Sequence, residues 1–245
     1  MAAPPRQRSE PRYVLKDFSG SSHRILAHWV AELPPAARLL ELGPGDAHVA
    51  RLVRRSDLDW HGLDNEVQCL PTLVGILRGG AIVDLETIPR LPDGFQAVLA
   101  ADSLEHLTDP ARMLRMIHQA LPAGAPLLVS VPNIANFYVR LNLLFGRFPY
   151  ADRGLLDRSH RVFFTRRWLR RLLAESGFEI TGESVSTIPL PLALPRLPPW
   201  AHRALLVPLG VATRLLPTLL GYQLLVRARR GPPASATAGA TGNSR

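Results

Sequence analysis

The stretch LLELGPGDAHVARLV, residues 39–53, decides the fold predicted for this chain. An apolar run carries Glu41 near its end, Gly43 and Gly45 follow it, and a helix-like pattern comes next. Because glycine has no Cβ, the backbone can turn sharply after a strand and approach a ligand closely. The next helix offers its N-terminal N–H groups to a negatively charged group. The stretch therefore predicts a strand, a ligand-binding turn and a helix.

The rest of the chain alternates between apolar and amphipathic segments. Asp109 and Thr165 each precede an amphipathic segment as a helix N-cap, and the second helix is expected to bury Trp168 and to end at Gly177. Strands alternating with helices predict a doubly wound α/β sheet, which binds ligands at the carboxyl ends of its strands. The seven predicted strands are residues 37–42, 58–63, 80–84, 95–100, 126–131, 178–186 and 222–228.

Acidic residues lie at the ends of the first three predicted strands. Asp64 ends the second strand, where a carboxylate can accept both hydroxyl protons of a ribose. Asp84 ends the third, where a carboxylate can take an adenine amino group while the N–H of Leu85 meets a ring nitrogen. Each acid alone also suits an ordinary turn. Together with Glu41, however, they predict one crevice lined by all three.

A nicotinamide dinucleotide fits this loop less well. Its fingerprint is G-x-G-x-x-G, and counting from Gly43 the third glycine position is occupied by His48. An NAD(P)-dependent oxidoreductase is therefore the less favoured enzyme. A tight turn without a ligand is the other alternative.

The motifs, in this order, resemble those of the class I S-adenosylmethionine-dependent methyltransferases over roughly residues 13 to 188. ELGPGDA resembles the motif that holds the methionine end of the cofactor, GLDNE the ribose motif and VDLET the adenine motif. GFQAVLAADSLEHLTDP and LPAGAPLLVSVPN resemble the fourth and fifth motifs. The resemblance implies a seven-stranded Rossmann-like methyltransferase sheet with its last strand antiparallel. The cofactor-binding residues it implies are Glu41, Gly43, Gly45, Asp64, Asp84, Leu85, Ala101 and Asp102.

One position departs from that family pattern. Ala47 stands where the family has a third glycine. We expect its methyl group to narrow the pocket for the methionine end of the cofactor.

Residues 131–165, VPNIANFYVRLNLLFGRFPYADRGLLDRSHRVFFT, resemble a segment of one methyltransferase subgroup, VPN…R…LL.GRF.Y…G.LD.THLRFFT. The segment lies between the fifth predicted strand and the next helix, so we expect it over the acceptor site. The resemblance implies a small-molecule, sugar or lipid-linked acceptor. Tyr150, Asp157 and Arg161 are the predicted acceptor-binding residues.

Methyl transfer to a hydroxyl needs an aligned nucleophile and a group that takes its proton. His160 is the first candidate for this base, because histidine titrates near neutral pH, and His106 is the second. A structural hydrogen bond at His160 and a place beside the cofactor for His106 are the alternatives. Asp157 would either orient His160 or cap its own turn. No metal site is expected from the sequence.

Residues 187–220 form an apolar, proline-rich insert before the last strand. Pro208, Arg214 and Pro217 interrupt it, which argues against a transmembrane helix. Two short amphipathic helices are predicted, and we expect them to cover the acceptor pocket and to contact a membrane surface. A homodimer interface is the alternative.

Composition limits the remaining choices. The 245-residue chain has a net charge of +9, but its basic residues are spread along the chain and Lys16 is its single lysine, so no nucleic-acid partner is expected. Cys69 is the one cysteine, which excludes an internal disulfide and suits the cytoplasm, including the inner face of its membrane. Residues 13–230 are the predicted methyltransferase domain, and residues 1–12 and 231–245 are predicted to be disordered.

These observations favour an S-adenosylmethionine-dependent methyltransferase that methylates its acceptor at oxygen. The products would be the methylated acceptor and S-adenosylhomocysteine. A non-catalytic protein that binds S-adenosylmethionine and regulates or assembles with a partner is the alternative from another class.

Overall fold

The computed structural model describes residues 15–231. The predicted disordered N-terminus and nearly all of the predicted tail lie outside these residues. Gly231 is the exception, because it is buried and its N–H donates to the carbonyl of Gly177. Gly231 therefore belongs to the folded structure, although it was predicted to be the first residue of the disordered tail.

A single seven-stranded sheet organises the described residues, in the spatial order β3-β2-β1-β4-β5-β7-β6. The strands β1 to β5 are parallel, and β7 lies antiparallel between β5 and β6. This confirms the predicted fold class, including the antiparallel last strand. The strands are β1 Arg38–Leu42, β2 Asp59–Asp64, β3 Gly79–Ile82, β4 Ala97–Ala101, β5 Pro126–Pro132, β6 Phe178–Val185 and β7 Gln223–Arg230.

The helices lie mainly on the two faces of the sheet. They are α1 Ser22–Ala31, α2 His48–Leu52, α3 Leu70–Gly75, α4 Pro110–Ala120, α5 Phe137–Leu144, α6 Arg166–Glu175, α7 Leu190–Ala193, α8 Pro199–Leu215 and α9 Pro217–Leu220. Leu26 in α1 and Leu73 in α3 belong to one apolar cluster, whereas Leu114 in α4 and Leu173 in α6 belong to another. Strand β1 contributes side chains to both clusters, because successive side chains of a strand point to opposite faces of the sheet.

Both predicted N-caps are confirmed. The Asp109 carboxylate accepts the N–H of Arg112 at 2.8 Å, and the Thr165 hydroxyl accepts the N–H of Trp168 at 3.2 Å. The expectation that Trp168 is buried is wrong. Its side chain is 36% exposed and packs on Phe164, because it lies at the edge of the buried stripe of α6.

The insert before β7 differs in detail from the prediction of two short helices. It holds the long α8 between the single turns α7 and α9, and Pro208 lies inside α8. Among residues 15–231, no helix is both long and apolar enough to cross a membrane.

Gly62 in β2 connects the sheet with the glycine turn. A Cβ at this position would lie 2.7 Å from side-chain atoms of both Leu73 and Pro44, and 2.9 Å from Leu77. The rigid proline ring lies in the turn after β1, so the turn can pack this closely on β2 only because residue 62 has no side chain.

We therefore expect Gly62→Ala to lower the free energy of unfolding by about 1–3 kcal/mol, as overpacked core positions do. Urea denaturation of both proteins measures this. Gly182→Ala in β6 is the matched control, since a Cβ there meets only the Cβ of Arg227, at 3.8 Å. Equal stability of the two variants would contradict the proposed close packing.

Candidate functional site

A cavity of about 820 Å³ opens at the carboxyl ends of β1, β2 and β4. The strand order reverses between β1 and β4, so this is the position where a doubly wound sheet binds ligands. The structure brings all eight predicted cofactor residues to this one cavity. They are Glu41, Gly43, Gly45, Asp64, Asp84, Leu85, Ala101 and Asp102.

The turn after β1 needs its glycines for backbone reasons. Gly43 and Gly45 have φ angles of +66° and +52°, in the left-handed region that glycine adopts most readily. A Cβ on Gly45 would meet no atom within 4 Å, so the turn leaves open space at this point of the cavity wall. A bound molecule can thus approach the backbone directly.

The prediction that the methyl group of Ala47 narrows the cofactor pocket is wrong. Ala47 has a φ of +51°, but its side chain is fully buried in the apolar cluster beneath α1 and does not line the cavity. The methyl group therefore does not narrow the cavity. The left-handed backbone conformation of a residue other than glycine costs about 1–2 kcal/mol.

Glu41 is a buried carboxyl group, and no cation among residues 15–231 forms an ion pair with it. The Trp60 Nε1–H donates to its Oε2 at 2.9 Å. Burial raises the pKa of Glu41 to about 8, the charge of Asp64 adds to this, and the hydrogen bond from Trp60 opposes it. A cationic ligand in the cavity would supply the counter-charge that this carboxylate lacks.

Asp64 holds the loops around the cavity in place. Its Oδ2 accepts the N–H of Gly45 and its Oδ1 accepts the N–H of Glu66, both at 2.9 Å. The side chain thus fixes the glycine turn while its carboxylate lines the cavity. Asp84 was predicted to be the last residue of the third strand, but it lies two residues beyond the end of β3. Its Oδ1 accepts the N–H of Glu86.

Asp102 closes the floor of the cavity just after β4. The Ser130 hydroxyl donates to its Oδ1 at 2.6 Å, the Gln223 amide donates to its Oδ2 at 2.5 Å, and Lys16 Nζ lies 3.7 Å from the same Oδ2. Burial raises the pKa of Asp102, but Lys16 and the hydrogen bonds outweigh burial and leave it below its ordinary value. This carboxylate is therefore charged at neutral pH.

A second cavity of about 330 Å³ lies on the other side of this floor. Lys16, Asp102 and His106 line both cavities. The segment 131–165 supplies Arg153, Leu155 and His160 to the second cavity, and the insert supplies Ile188, Pro189 and Ala193. The prediction that this segment and the insert lie at one pocket is thus consistent with the geometry.

The two candidate catalytic histidines lie together. Their ring centroids are 5.1 Å apart. His106 Nδ1 lies 3.2 Å from the carbonyl oxygen of Ser159, which can only accept, so this nitrogen carries the proton. Burial, and next the neighbouring His106, lower the pKa of His160, so its ring is largely neutral at pH 7.

The predicted acceptor-binding residues do not lie together. Arg161 lines the first cavity and its guanidinium contacts Glu86 at 3.2 Å. Asp157 is buried and accepts the hydroxyl of Ser159 at 2.6 Å, so it caps its turn, and Tyr150 is 54% exposed and packs on Phe148. Neither Asp157 nor Tyr150 lines either of the two cavities.

Several lining residues were not predicted from the sequence. Lys16, His23 and His48 line the first cavity, and the two histidine rings are stacked at 5.1 Å between centroids. Burial, followed by the charge of Lys16, lowers the pKa of His23 to about 3. The one feature of the sequence that could have pointed to Lys16 is that it is the single lysine of the chain. Gln223 and Tyr222 come from the start of β7 and carry no such signal.

The sequence matches the methyltransferase domain family over residues 17–183. The chain belongs to this family, and its class is that of the S-adenosylmethionine-dependent methyltransferases. Among curated proteins, no sequence is significantly similar to it.

Solved structures with the same fold include an S-adenosylmethionine-dependent methyltransferase from Mesorhizobium loti, with 20% identity, a TM-score of 0.52, and coverage of 85% of this chain and 98% of that one. The magnesium protoporphyrin IX methyltransferase of Synechocystis, solved with S-adenosylhomocysteine, has 13% identity, a TM-score of 0.57, and coverage of 86% and 82%. The 4+2 cyclase SpnF has 19% identity, a TM-score of 0.56, and coverage of 88% and 85%. At these identities the likeness shows the fold alone.

The buried Glu41 makes stability depend on pH in a defined direction. Its pKa is about 8 in the folded chain against an ordinary 4.5, so between these values the folded state binds the extra proton. The contribution of Glu41 to stability therefore falls as pH rises through this window. We expect Glu41→Gln to gain stability relative to the unchanged chain by up to ~1.4 kcal/mol per pH unit. Urea denaturation without cofactor at pH 5, 6.5 and 8 measures the difference, and a constant difference would contradict the raised pKa.

Removing the Asp64 carboxylate should disturb the glycine turn and the predicted ribose contact together. We expect Asp64→Ala to weaken S-adenosylmethionine binding by more than about 1 kcal/mol, since hydrogen bonds to a charged group are lost. Titration calorimetry measures this, with Asp93→Ala as the control, because Asp93 is exposed and pairs only weakly with Arg90 at 3.8 Å. Unchanged affinity in Asp64→Ala would rule out the proposed role.

Proposed function

We propose that this protein transfers the methyl group of S-adenosylmethionine to an oxygen of a small-molecule, sugar or lipid-linked acceptor. The observation that supports this most directly is the shared wall of the two cavities. Methyl transfer is an in-line displacement, so donor and acceptor must meet through an opening between two binding spaces. Asp102 and His106 line both spaces at their junction.

The residues of the first cavity suit S-adenosylmethionine. The cofactor carries a positively charged sulfonium and ammonium, and the cavity offers the buried Glu41 and the charged Asp102. Asp64 would hold the ribose, and Asp84 with the backbone of Leu85 would hold the adenine. When bound, the cofactor supplies an electrophilic methyl group on its sulfonium sulfur and leaves as the neutral thioether S-adenosylhomocysteine.

We place the acceptor in the second cavity, which is lined by both apolar and polar side chains. Leu155, Ile188 and Pro189 would contact its carbon skeleton, and His160 and His106 would meet its hydroxyl group. A neutral His160 can accept the hydroxyl proton near pH 7. We retain Arg161 as a contact for a polar acceptor group near the cofactor cavity, whereas Tyr150 and Asp157 would act only through neighbours.

The outer face of α8 supports an acceptor presented at a membrane. Trp200, Val207, Val211 and Leu215 are exposed on this helix, beside the exposed Arg203 and Arg214. Residues 187–220 contain no acidic residue, so this surface is apolar and cationic. Such a face binds the surface of an anionic membrane. We propose contact with the inner face of the cytoplasmic membrane, with no nucleic-acid partner.

A labelled-cofactor experiment tests the proposed reaction. The protein receives S-adenosylmethionine with an isotopically labelled methyl group together with lipid, glycan and small-metabolite extracts. Label in one fraction, bound through an ether or ester oxygen, is the expected result. Cofactor binding without label in any fraction would favour the non-catalytic alternative.

With the acceptor found in that experiment, we expect His160→Ala to lower kcat at least about tenfold while cofactor affinity stays within about twofold. Rate measurements and calorimetry on the same preparation separate the two effects. His28→Ala is the control, because His28 lies on the exposed side of α1 and pairs with Glu32. Equal loss of turnover and of cofactor binding would make the role of His160 structural.

A further inference from the structure

Glu105 is the least satisfied polar side chain near the site. It lies in the short turn Leu104–His106 after β4 and is 1% exposed. Neither oxygen of its carboxyl group has a hydrogen-bond partner among the described residues. Leaving a buried polar group unsatisfied costs about 1–3 kcal/mol, and more for a charged one. A feature with this cost calls for a partner that the chain itself does not supply.

Two histidines place nitrogen atoms next to this carboxyl group. One ligand atom from each of Glu105, His106 and His160 can be chosen so that all three atoms lie within 4.8 Å of one another. Among residues 15–231, this is the one such group of three histidine, cysteine or acidic side chains.

A hydrogen bond to the backbone orients the ring of His106. His106 donates from Nδ1 to the carbonyl of Ser159, which leaves the lone pair of a neutral ring on Nε2. The ring of His160 packs edge-on against Phe163, and its Nδ1 is buried with no hydrogen-bond partner among the described residues. A ring nitrogen bonded to a backbone carbonyl is the usual support of a metal-binding histidine, because it fixes the tautomer and the direction of the other nitrogen.

We propose that Glu105, His106 and His160 bind a divalent transition-metal ion, with Zn²⁺ as the most suitable ion. Two imidazole nitrogens and one carboxylate oxygen form a ligand set found in catalytic zinc sites, which keep a further position open. Mg²⁺ and Ca²⁺ prefer sites built from oxygen ligands alone. Zinc bonds of about 2.0–2.2 Å place tetrahedral ligand atoms about 3.4 Å apart, so binding draws the three groups closer together.

The fold positions this group at the second cavity. Glu105 comes from the turn after β4 and His160 from the end of the segment 131–165, and all three side chains line the cavity. The backbone N–H groups of Arg161 and Val162 donate to the carbonyl of Glu105, which fixes the two segments to each other. With the cation bound, His160 would be a metal ligand and not the base, and the open position of the cation would face an acceptor oxygen and favour the loss of its proton. This consequence rests on the proposed function, whereas the metal site does not.

The test measures metal binding directly and needs no acceptor. The full chain, prepared without a histidine tag and treated with EDTA, is titrated with ZnCl₂ in a calorimeter, and with MgCl₂ in parallel. We expect one Zn²⁺ per chain, no comparable binding of Mg²⁺, and an affinity for Zn²⁺ at least about 100-fold lower in Glu105→Gln. Zn²⁺ should also raise the melting temperature of the unchanged chain and not that of Glu105→Gln.

Two further variants make the result decisive. His160→Gln should lose Zn²⁺ binding as Glu105→Gln does, and it provides the test should Glu105→Gln fail to fold. His23→Gln should keep it, although His23 belongs to the other close histidine pair of the chain, with His48. Absence of Zn²⁺ binding by the unchanged chain, equal binding by Glu105→Gln and His160→Gln, or loss only in His23→Gln would overturn the proposal. Calorimetry with S-adenosylmethionine on the same protein shows separately whether the proposed function fails.

Discussion

The contacts of Asp102 are the constraint on which both cavities depend. This residue follows β4 with a φ of +51°. Such a backbone costs about 1–3 kcal/mol and persists only where the surroundings hold it. Here Ser130 from β5, Gln223 from β7 and Lys16 from the N-terminal segment all meet one carboxylate. Three distant parts of the chain are thus joined at the point where the two cavities adjoin.

Three carboxyl groups around this point differ in how they are satisfied. Asp102 has a cation and two hydrogen-bond donors, so it stays charged. Among the described residues, Glu41 has one donor and no cation, and burial raises the pKa of Glu105 well above its ordinary value, with the charge of Asp102 adding to this. Burying a carboxylate without a counter-charge is costly, so both groups favour their protonated form. A cationic cofactor on one side of the floor and a metal ion on the other would each stabilise the charged form of the carboxyl group beside it.

The central strands β1, β4 and β5 could be predicted most directly from the sequence, because they are buried on both faces and read as largely apolar runs. The crevice acids could be predicted as well, because the end of a strand fixes the place of the residue that follows. Ala47 could not, since the direction of its methyl group depends on a φ angle that the residue type does not reveal. The neighbours of His160 could not be predicted either, because they depend on how segment 131–165 packs. This segment packs through a small apolar cluster of its own, formed by Val139, Leu155 and Leu156.

The insert connects the second cavity, where we place the acceptor, with the outer surface of the protein. Its first residues, Ile188 and Pro189, line the second cavity, while α8 exposes Trp200 and Val207 on the outside. The same continuous segment lines the second cavity and exposes α8. A membrane bound to the outer face of α8 would therefore lie close to the part of the insert that lines this cavity. An acceptor with a lipid anchor could then reach the second cavity without leaving the membrane. With a water-soluble acceptor, the exposed apolar and cationic surface of α8 would need another partner, such as the second copy of the chain in a homodimer.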